Sequence, residues 1–134
     1  MSIQEQIDRF FAAGVFGVAG ASANRSKYGN KVLRCYLQHG KRAVPVNPNE
    51  AEIEGVACVK GVGDLPPEVK SLSMITPPVV TEQLVPLAIA HGIENIWMQP
   101  GAESPAAVAL CREKGINVIA DGSCLLVVLG YHDH

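Results

Sequence analysis

The sequence has no surplus of positive charge. Eleven lysines and arginines stand against thirteen aspartates and glutamates, which gives a formal net charge of −2 at pH 7. Nucleic acids and anionic membrane surfaces are bound through basic stripes or patches, so this balance supports neither as a partner. We therefore expect no nucleic acid and no membrane among the partners, and a small molecule or another protein instead.

Metal-ligand spacings and long apolar runs are also missing. The cysteines are scattered, without a CxxC pair or a Cys/His spacing that brings two ligands to one metal; they are Cys35, Cys58, Cys111 and Cys124. No stretch approaches the roughly 20 apolar residues of a membrane span. Residues 1–14 are too polar and acidic for a signal peptide. We expect no metal, free thiols and a cytoplasmic location.

Short apolar runs alternate with helical patterns along the chain. Buried strands are predicted at 15–19, 42–46, 71–75, 94–98 and 117–120, and helices near the amino terminus and at 31–40, 79–92 and 104–115. Such alternation produces a parallel sheet with helices on both faces. The sequence therefore predicts an α/β, Rossmann-like three-layer fold with a mainly parallel sheet of about five strands, in a single domain over residues 1–134.

Two segments depart from this regular pattern. Residues 50–68 carry several glycines and a double proline, which predicts an irregular excursion with one short strand. Pro86 falls inside the predicted helix 79–92. Because proline removes a helical hydrogen bond, we expect that helix to start late or to kink at Pro86.

The residues that follow the predicted strands are small, proline-rich and nearly uncharged. We call them the crest segments: GAS (20–22), NPN (47–49), TPP (76–78), QPGAE (99–103) and DGSC (121–124). Parallel α/β sheets bind ligands outside the carboxyl ends of their strands, where these segments fall. Glycine and serine are small enough for a ligand to come close to the backbone. Proline gives the wall of a site a fixed shape without offering a hydrogen-bond donor. The pattern favours a slot for a long, flat ligand.

The first crest segment lacks the full glycine pattern of a dinucleotide site. Ser22 stands where a glycine is needed, and Asn47 follows the second strand where an NAD site carries an acid. What remains is a set of backbone N–H groups, the Ser22 hydroxyl and the cations Arg25, Lys27 and Lys31 near a helix start. These groups are suited to a diphosphate and a further phosphate.

Several motifs occur in an order that resembles the small stand-alone coenzyme A-binding proteins. They are GAS with KYGN (27–30), PVNPN (45–49), EIEG (52–55), TPP (76–78), GIENIWMQPGAE (92–103) and GINVIAD (115–121), and the match covers residues 12–124. The fold of those proteins is similar to the N-terminal domain of the succinyl-CoA synthetase alpha subunit. That synthetase needs a second alpha domain and a beta subunit, so the resemblance does not imply a complete acyl-CoA ligase for this chain alone.

The resemblance also implies which residues hold the cofactor, coenzyme A or an acyl-CoA. By this resemblance, the phosphates would contact Gly20, Ala21, Ser22, Lys27 and Tyr28, and the adenosine would lie beside Val46, Asn47 and Pro48. The diphosphate and pantetheine would pack against Thr76, Pro77 and Pro78. The path toward the thiol end would be lined by Gln99, Pro100 and Gly101. Physical chemistry is consistent with this division, because adenine fits an apolar slot and phosphates fit donors at a helix N-terminus.

The sequence offers no convincing catalytic set. Cys124 has no neighbouring cation to activate it, so we expect an inert cysteine, with a mixed disulfide to CoA as the alternative. Glu103 and Asp121 follow strands, but acids in such places more often bind backbone N–H groups than act as bases. His39 and His91 each precede a helix-ending glycine, which favours capping.

Three functions remain open at this point. The first is a CoA- or acyl-CoA-binding protein without catalysis of its own, which senses, carries or regulates. The second is an NAD(P)-binding oxidoreductase subunit or regulator. The third is a protein-interaction domain with a vestigial pocket, in which the apolar tail 125–131 is buried against a second subunit. A homodimer or an unidentified partner enzyme is therefore a candidate assembly.

Overall fold

The fold alternates strands and helices, and a computed structural model describes it for residues 1–133, so that His134 lies outside the described residues. The helices are α1 (Ile3–Ala12), α2 (Tyr28–Gln38), α3 (Pro78–His91) and α4 (Pro105–Glu113). The strands are β1 (Val15–Ala19), β2 (Arg42–Val46), β3 (Glu52–Ile53), β4 (Val56–Ala57), β5 (Ser71–Met74), β6 (Asn95–Met98) and β7 (Asn117–Ile119). All five strands predicted from the sequence are present.

The main sheet has five parallel strands in the order β2-β1-β5-β6-β7. Residues of α1 and α2 pack on one face, and residues of α3 and α4 pack on the other. The predicted three-layer, Rossmann-like α/β fold is thus confirmed. Because β1 leads into α2 on one face and β5 leads into α3 on the opposite face, a crevice opens between the carboxyl ends of these two strands.

The core on the α1/α2 face is built from stacked aromatic rings. The rings of Phe16 and Tyr36 stack at 4.8 Å between centroids, and Phe10 stacks on Phe16 at 5.6 Å. The Trp97 ring meets Phe10 edge to face. Trp97 is fully buried and its Nε1 donates to the Ser123 carbonyl at 3.0 Å, so this tryptophan packs in the core as a strand residue should.

Two helix boundaries differ from the sequence-based expectation. Helix α2 begins at Tyr28, three residues before the predicted start at position 31. Its N-cap is Lys27, whose side chain makes no capping hydrogen bond, so the sequence carries no capping signal for this start. The expected late start of α3 is wrong: the helix runs from Pro78 through Pro86. Pro86 is tolerated because it is exposed, so the carbonyl that loses its helical partner can face water.

The excursion after β2 contains two short strands instead of one. Strands β3 and β4 form an antiparallel hairpin, with Ile53 paired to Val56. Glu54 and Gly55 both have positive φ, at 52° and 79°, which is the backbone of a tight hairpin turn. The Glu54 carboxylate accepts from Arg25 at 2.5 Å and from Asn30 at 3.1 Å, which ties the hairpin to the loop after β1.

The carboxyl-terminal tail packs on α2 of its own chain. Leu125 is fully buried, a π-helical turn follows at Leu126–Gly130, and the His39 ring bonds the Gly130 carbonyl at 2.6 Å. The Arg34 guanidinium pairs with Asp133 at 3.3 Å. The apolar tail is therefore used largely within the chain, although the Val127 side chain remains 80% exposed.

No helix within residues 1–133 has the length and apolar character needed to cross a membrane. The same residues contain no group of three histidine, cysteine or acidic side chains placed to hold a metal ion.

Candidate functional site

A cavity of about 380 Å³ lies at the carboxyl ends of β2, β1 and β5. We call it the main cavity. Its wall combines three crest segments with the segment after β4 and with α3: Ala19, Gly20, Ala21, Val46, Asn47, Pro48, Asn49, Lys60, Gly61, Val62, Thr76, Val80 and Leu84. Most of the lining surface is apolar, since valines, leucine, alanines and proline supply it. The cavity is thus a slot with polar groups at its rim.

Gly20 sets the width of the crevice between β1 and β5. Its φ is +89°, and a Cβ at this position would overlap the carbonyl group of Ile75 on the neighbouring strand end. A Cβ on Gly29 would in turn overlap the Gly20 carbonyl, so the first turn of α2 lies against the loop. Two glycines therefore bring backbone N–H groups and a helix N-terminus together at the end of β1.

Asn47 links the loops that follow β1 and β2. Its Nδ2 donates to the Ala21 carbonyl at 3.0 Å, while its Oδ1 accepts from the backbone N–H groups of Asn49 at 2.7 Å and Glu50 at 3.1 Å. One side chain therefore folds the loop after β2 and holds it against the loop after β1. Asn47 acts as a positioning residue for the rim of the main cavity.

A second cavity of about 210 Å³ continues from Thr76 toward β6; we call it the side cavity. Its lining is Ile75, Thr76, Pro77, Pro100, Gly101 and Ala102. The Thr76 hydroxyl bonds the Thr81 hydroxyl at 2.7 Å, which orients it toward α3. Thr76 lines both cavities, so the two are neighbours along the carboxyl ends of four strands, and we call the pair the channel.

A partly buried polar cluster joins α2 to the segments that follow β6 and β7. The Gln99 Oε1 accepts from the Tyr28 hydroxyl at 3.1 Å and from the Leu125 N–H at 2.8 Å, and the Tyr28 hydroxyl contacts the Cys124 Sγ at 2.5 Å. Burial raises the pKa of the Tyr28 phenol, and the Cys124 hydrogen bond raises it further. Gln99 is fully buried, and its Nε2 has no hydrogen-bond partner among the described residues.

Comparison with known proteins places this geometry in a family. Residues 15–129 match the family described as the CoA binding domain. The chain belongs to the CoA binding domain family. Solved structures agree: a conserved hypothetical protein of Pyrococcus furiosus is 37% identical, with a TM-score of 0.81 over 84% of this chain and 97% of that one. A Thermus thermophilus protein is 30% identical, with a TM-score of 0.83 over 95% and 96% of the two chains.

One curated relative is a much longer protein than this CoA-binding domain. The alpha subunit of an ADP-forming acetate–CoA ligase II from Pyrococcus furiosus is 29% identical over 91 residues. The match covers 67% of this chain and 20% of that subunit. The relationship thus concerns one part of the subunit, and this chain spans only a fifth of its length.

The channel of the CoA-binding domain collects most, but not all, of the residues named from the sequence. Gly20, Ala21, Val46, Asn47, Pro48 and Thr76 line the main cavity, and Thr76, Pro77, Pro100 and Gly101 line the side cavity. Ser22, Lys27, Tyr28, Pro78 and Gln99 line neither. Tyr28 and Gln99 bond each other in the polar cluster, and the Ser22 Oγ accepts from the Asn24 N–H at 3.1 Å.

Several residues that line the channel were missed by sequence reasoning. Lys60 and Val62 come from the excursion, and Val80 and Leu84 come from the first turns of α3. The apolar spacing of Val80 and Leu84, four residues apart, marks one side of a helix and was a usable signal. Lys60 and Val62 carried no such signal, because irregular segments have no periodicity to place their side chains.

The acids near the strand ends bind backbone N–H groups, as expected. The Glu103 carboxylate accepts from the Gly101 N–H at 2.7 Å, and the Asp121 carboxylate accepts from the Ser123 N–H at 3.0 Å. Hydrogen bonding from Ser123 lowers the pKa of Asp121, which keeps it ionised and weakens it as a base. Neither acid is placed as a general base for a ligand in the channel.

Two larger depressions lie away from the channel. One, of about 540 Å³, is at the amino ends of the strands, between Arg9 and Lys70. The other, of about 460 Å³, lies beside β7 between α1 and α4. The first lies at the end of the sheet opposite to the one where parallel α/β sheets bind ligands. The second is lined by Glu103 and Asp121 of two crest segments, but it lies at the β7 edge of the sheet, away from the crevice between β1 and β5 where such folds bind nucleotides.

Proposed function

We propose that this protein binds coenzyme A or an acyl-CoA along the channel, as a binding or regulatory protein without a catalytic group of its own. The observation that carries the proposal is the row of two neighbouring cavities, the main cavity and the side cavity, which share Thr76 along the carboxyl ends of the strands. CoA is a long molecule with an adenosine end, a charged diphosphate and a narrow pantetheine arm. The channel offers an apolar slot, a glycine-rich turn and a narrow groove in that order.

The adenine is assigned to the apolar part of the main cavity. Val62, Val80 and Leu84 line that part, and Val46 and Pro48 border it at the end of β2. A flat aromatic base gains from burial against such side chains, at about 25 cal/mol for each Å² removed from water. The shape of the slot is fixed, because Pro48 and the Asn47 side chain hold the loop after β2.

The diphosphate is assigned to the loop after β1 and to the first turn of α2. Gly20 and Gly29 allow backbone and helix to approach there without a Cβ between them. The N-terminus of α2 carries a partial positive charge and unpaired N–H groups, which favour phosphate. Ser22 retains a hydroxyl proton to donate, since its Oγ serves as the acceptor for Asn24.

The pantetheine arm is assigned to the side cavity. Pro77 and Pro100 both line this cavity, and Gly101, with φ at +95°, borders open space. We place the thiol end of the arm near Cys124, which follows β7, is partly exposed and contacts the Tyr28 hydroxyl. Binding of the pantetheine arm depends more on shape complementarity than on charge. The lining of the side cavity, which contains no ionised side chain, is consistent with this.

Competition titrations test the proposal against NAD(P) binding. We expect CoA and desulfo-CoA to bind the purified protein with nearly equal affinity, because recognition rests on the nucleotide end and the arm rather than on the thiol. NADP should not displace either, since Ser22 interrupts the glycine pattern that a dinucleotide site needs. Direct binding of NADP, together with no binding of CoA, would favour the oxidoreductase alternative.

Thiol labelling tests where the pantetheine arm lies. Burial, with the Cys124 thiol nearby, raises the pKa of Cys35 to about 11, and burial raises that of Cys111 to about 11. We expect iodoacetamide near neutral pH to label the partly exposed Cys124 and, more slowly because burial also raises its pKa, Cys58, and to label Cys35 and Cys111 only after denaturation.

Ligand protection provides the control within the same molecule. Saturating desulfo-CoA, used because the thiol of CoA itself consumes the reagent, should slow labelling of Cys124 and leave Cys58 unchanged. Peptide mass spectrometry reports each site separately. Equal labelling of Cys124 with and without desulfo-CoA would show that the arm does not end beside it.

A further inference from the structure

Lys60 supplies the positive charge in the lining of the main cavity. The rest of that lining is apolar or neutral, and Lys60 stands at its rim beside Asn49 and Gly61. Lys60 belongs to none of the ion pairs that residues 1–133 form. Its ammonium group is therefore available to an anion that enters the cavity.

The cations named from the sequence occupy other positions. Arg25 pairs with Glu54 on the hairpin. Lys31 lies near Asp133 on the tail, where it contributes to lowering the pKa of that carboxyl. Lys27 is the N-cap of α2 and does not line the main cavity. The cation for the adenosine end of a ligand therefore comes from the excursion.

The strand pairing fixes which end of the channel Lys60 faces. The Val59 N–H donates to the Pro45 carbonyl at 3.0 Å, and the Val59 carbonyl accepts from the Asn47 N–H at 2.9 Å. Val59 therefore lies along the outer edge of β2. Adjacent strands are about 4.8 Å apart. Val59 is therefore two strand spacings, or roughly 10 Å, from β1. Lys60 lies at the β2 end, away from Gly20.

We propose that Lys60 binds a phosphate on the ribose 3′ oxygen, and that it makes the cavity selective for 3′-phosphorylated adenine nucleotides. This rests on the proposed function, in which the adenosine lies at the β2 end and the diphosphate at Gly20. CoA carries one phosphate besides its diphosphate, and that phosphate is on the 3′ carbon of the adenosine ribose. A lysine ammonium is a compact point charge that binds phosphate without a fixed orientation.

The test is a cycle of two proteins and two ligands, measured by isothermal titration calorimetry. Wild-type protein and Lys60→Gln are each titrated with CoA and with 3′-dephospho-CoA. We expect wild type to prefer CoA by about tenfold, as one charge-assisted contact at a partly exposed site provides. Lys60→Gln should bind both ligands with the affinity that wild type has for dephospho-CoA, and Lys60→Arg should keep the preference.

Lys114→Gln is the matched control, because it removes the same charge from an exposed lysine at the end of α4. It should bind both ligands as wild type does. A CoA preference that survives in Lys60→Gln, or an equal loss for both ligands, would overturn the role of Lys60. The absence of any preference in wild type would overturn it as well. If wild type binds neither ligand, the proposed function itself fails.

Discussion

Replacement of Gly20 by alanine is expected to weaken CoA binding by roughly 10- to 100-fold and to destabilise the fold by about 3 kcal/mol. The added Cβ would overlap the Ile75 carbonyl, and residue 20 has a φ of +89° that L side chains rarely adopt. The loop after β1 must then move away from β5, which removes the backbone donors from the diphosphate. Loss of one or two charge-assisted bonds lowers affinity by roughly 10- to 100-fold.

Gly14→Ala is the control that separates the effect of a positive φ from the effect of the Cβ overlap in Gly20→Ala. Gly14 has a similar φ of +80°, but a Cβ there would meet nothing within 4 Å, and the residue lies before β1 at the opposite end of the sheet. We expect this variant to lose about 1 kcal/mol of stability and to bind CoA normally. Thermal unfolding and calorimetry report the two quantities. Normal CoA binding by Gly20→Ala would mean that the diphosphate does not lie at this turn.

Replacement of Asn47 by leucine is expected to weaken CoA binding by roughly tenfold or more, because it removes the Nδ2 bond to Ala21 and both Oδ1 bonds within the loop. Leucine keeps the approximate volume of the side chain, so the effect reports lost hydrogen bonds. The loop after β2 then has no fixed distance from the loop after β1, and the adenosine and diphosphate subsites lose their relative placement. Stability should fall by about 2 kcal/mol.

Asn47→Asp distinguishes the hydrogen bonds within the loop after β2 from the hydrogen bond that joins this loop to the loop after β1. The aspartate retains an acceptor for the Asn49 and Glu50 N–H groups, but it has no donor for the Ala21 carbonyl. We therefore expect stability closer to wild type than in Asn47→Leu, with CoA affinity still reduced, because the link to Ala21 is lost and a negative charge is placed near the phosphates. Wild-type affinity in both variants would show that Asn47 does not position the site.

The layered architecture was predictable because its signals are local. Five apolar runs mark the strands, and Ser104 followed by Pro105 marks the start of α4; the structure has Ser104 as N-cap, accepting from the Ala107 N–H. The start of α2 was not predictable, since Lys27 gives no side-chain cap. Pro86 led to a wrong late start for α3, because the helix accommodates this proline at an exposed position where water can bond the carbonyl that loses its partner.

The candidate site was predictable only where it follows the strand ends. Glycine at position 20 and proline at 48 and 77 lie on crest segments, and the crest segments meet because parallel strands end at one edge. Lys60 reaches the main cavity because Val59 pairs along β2, and this long-range pairing leaves no local pattern. Tyr28 follows the loop in sequence, yet its hydroxyl bonds Gln99, 71 positions away, which only the packing of α2 on the sheet decides.

The most direct test of CoA binding is native mass spectrometry of the freshly purified protein, followed by denaturation and identification of any released molecule. We expect a complex whose added mass equals CoA or an acyl-CoA, with the ligand released on denaturation. An adduct that survives denaturation but not a reductant would locate the CoA thiol on a cysteine. A protein that carries no ligand and releases no heat when titrated with CoA would contradict the assignment of the channel.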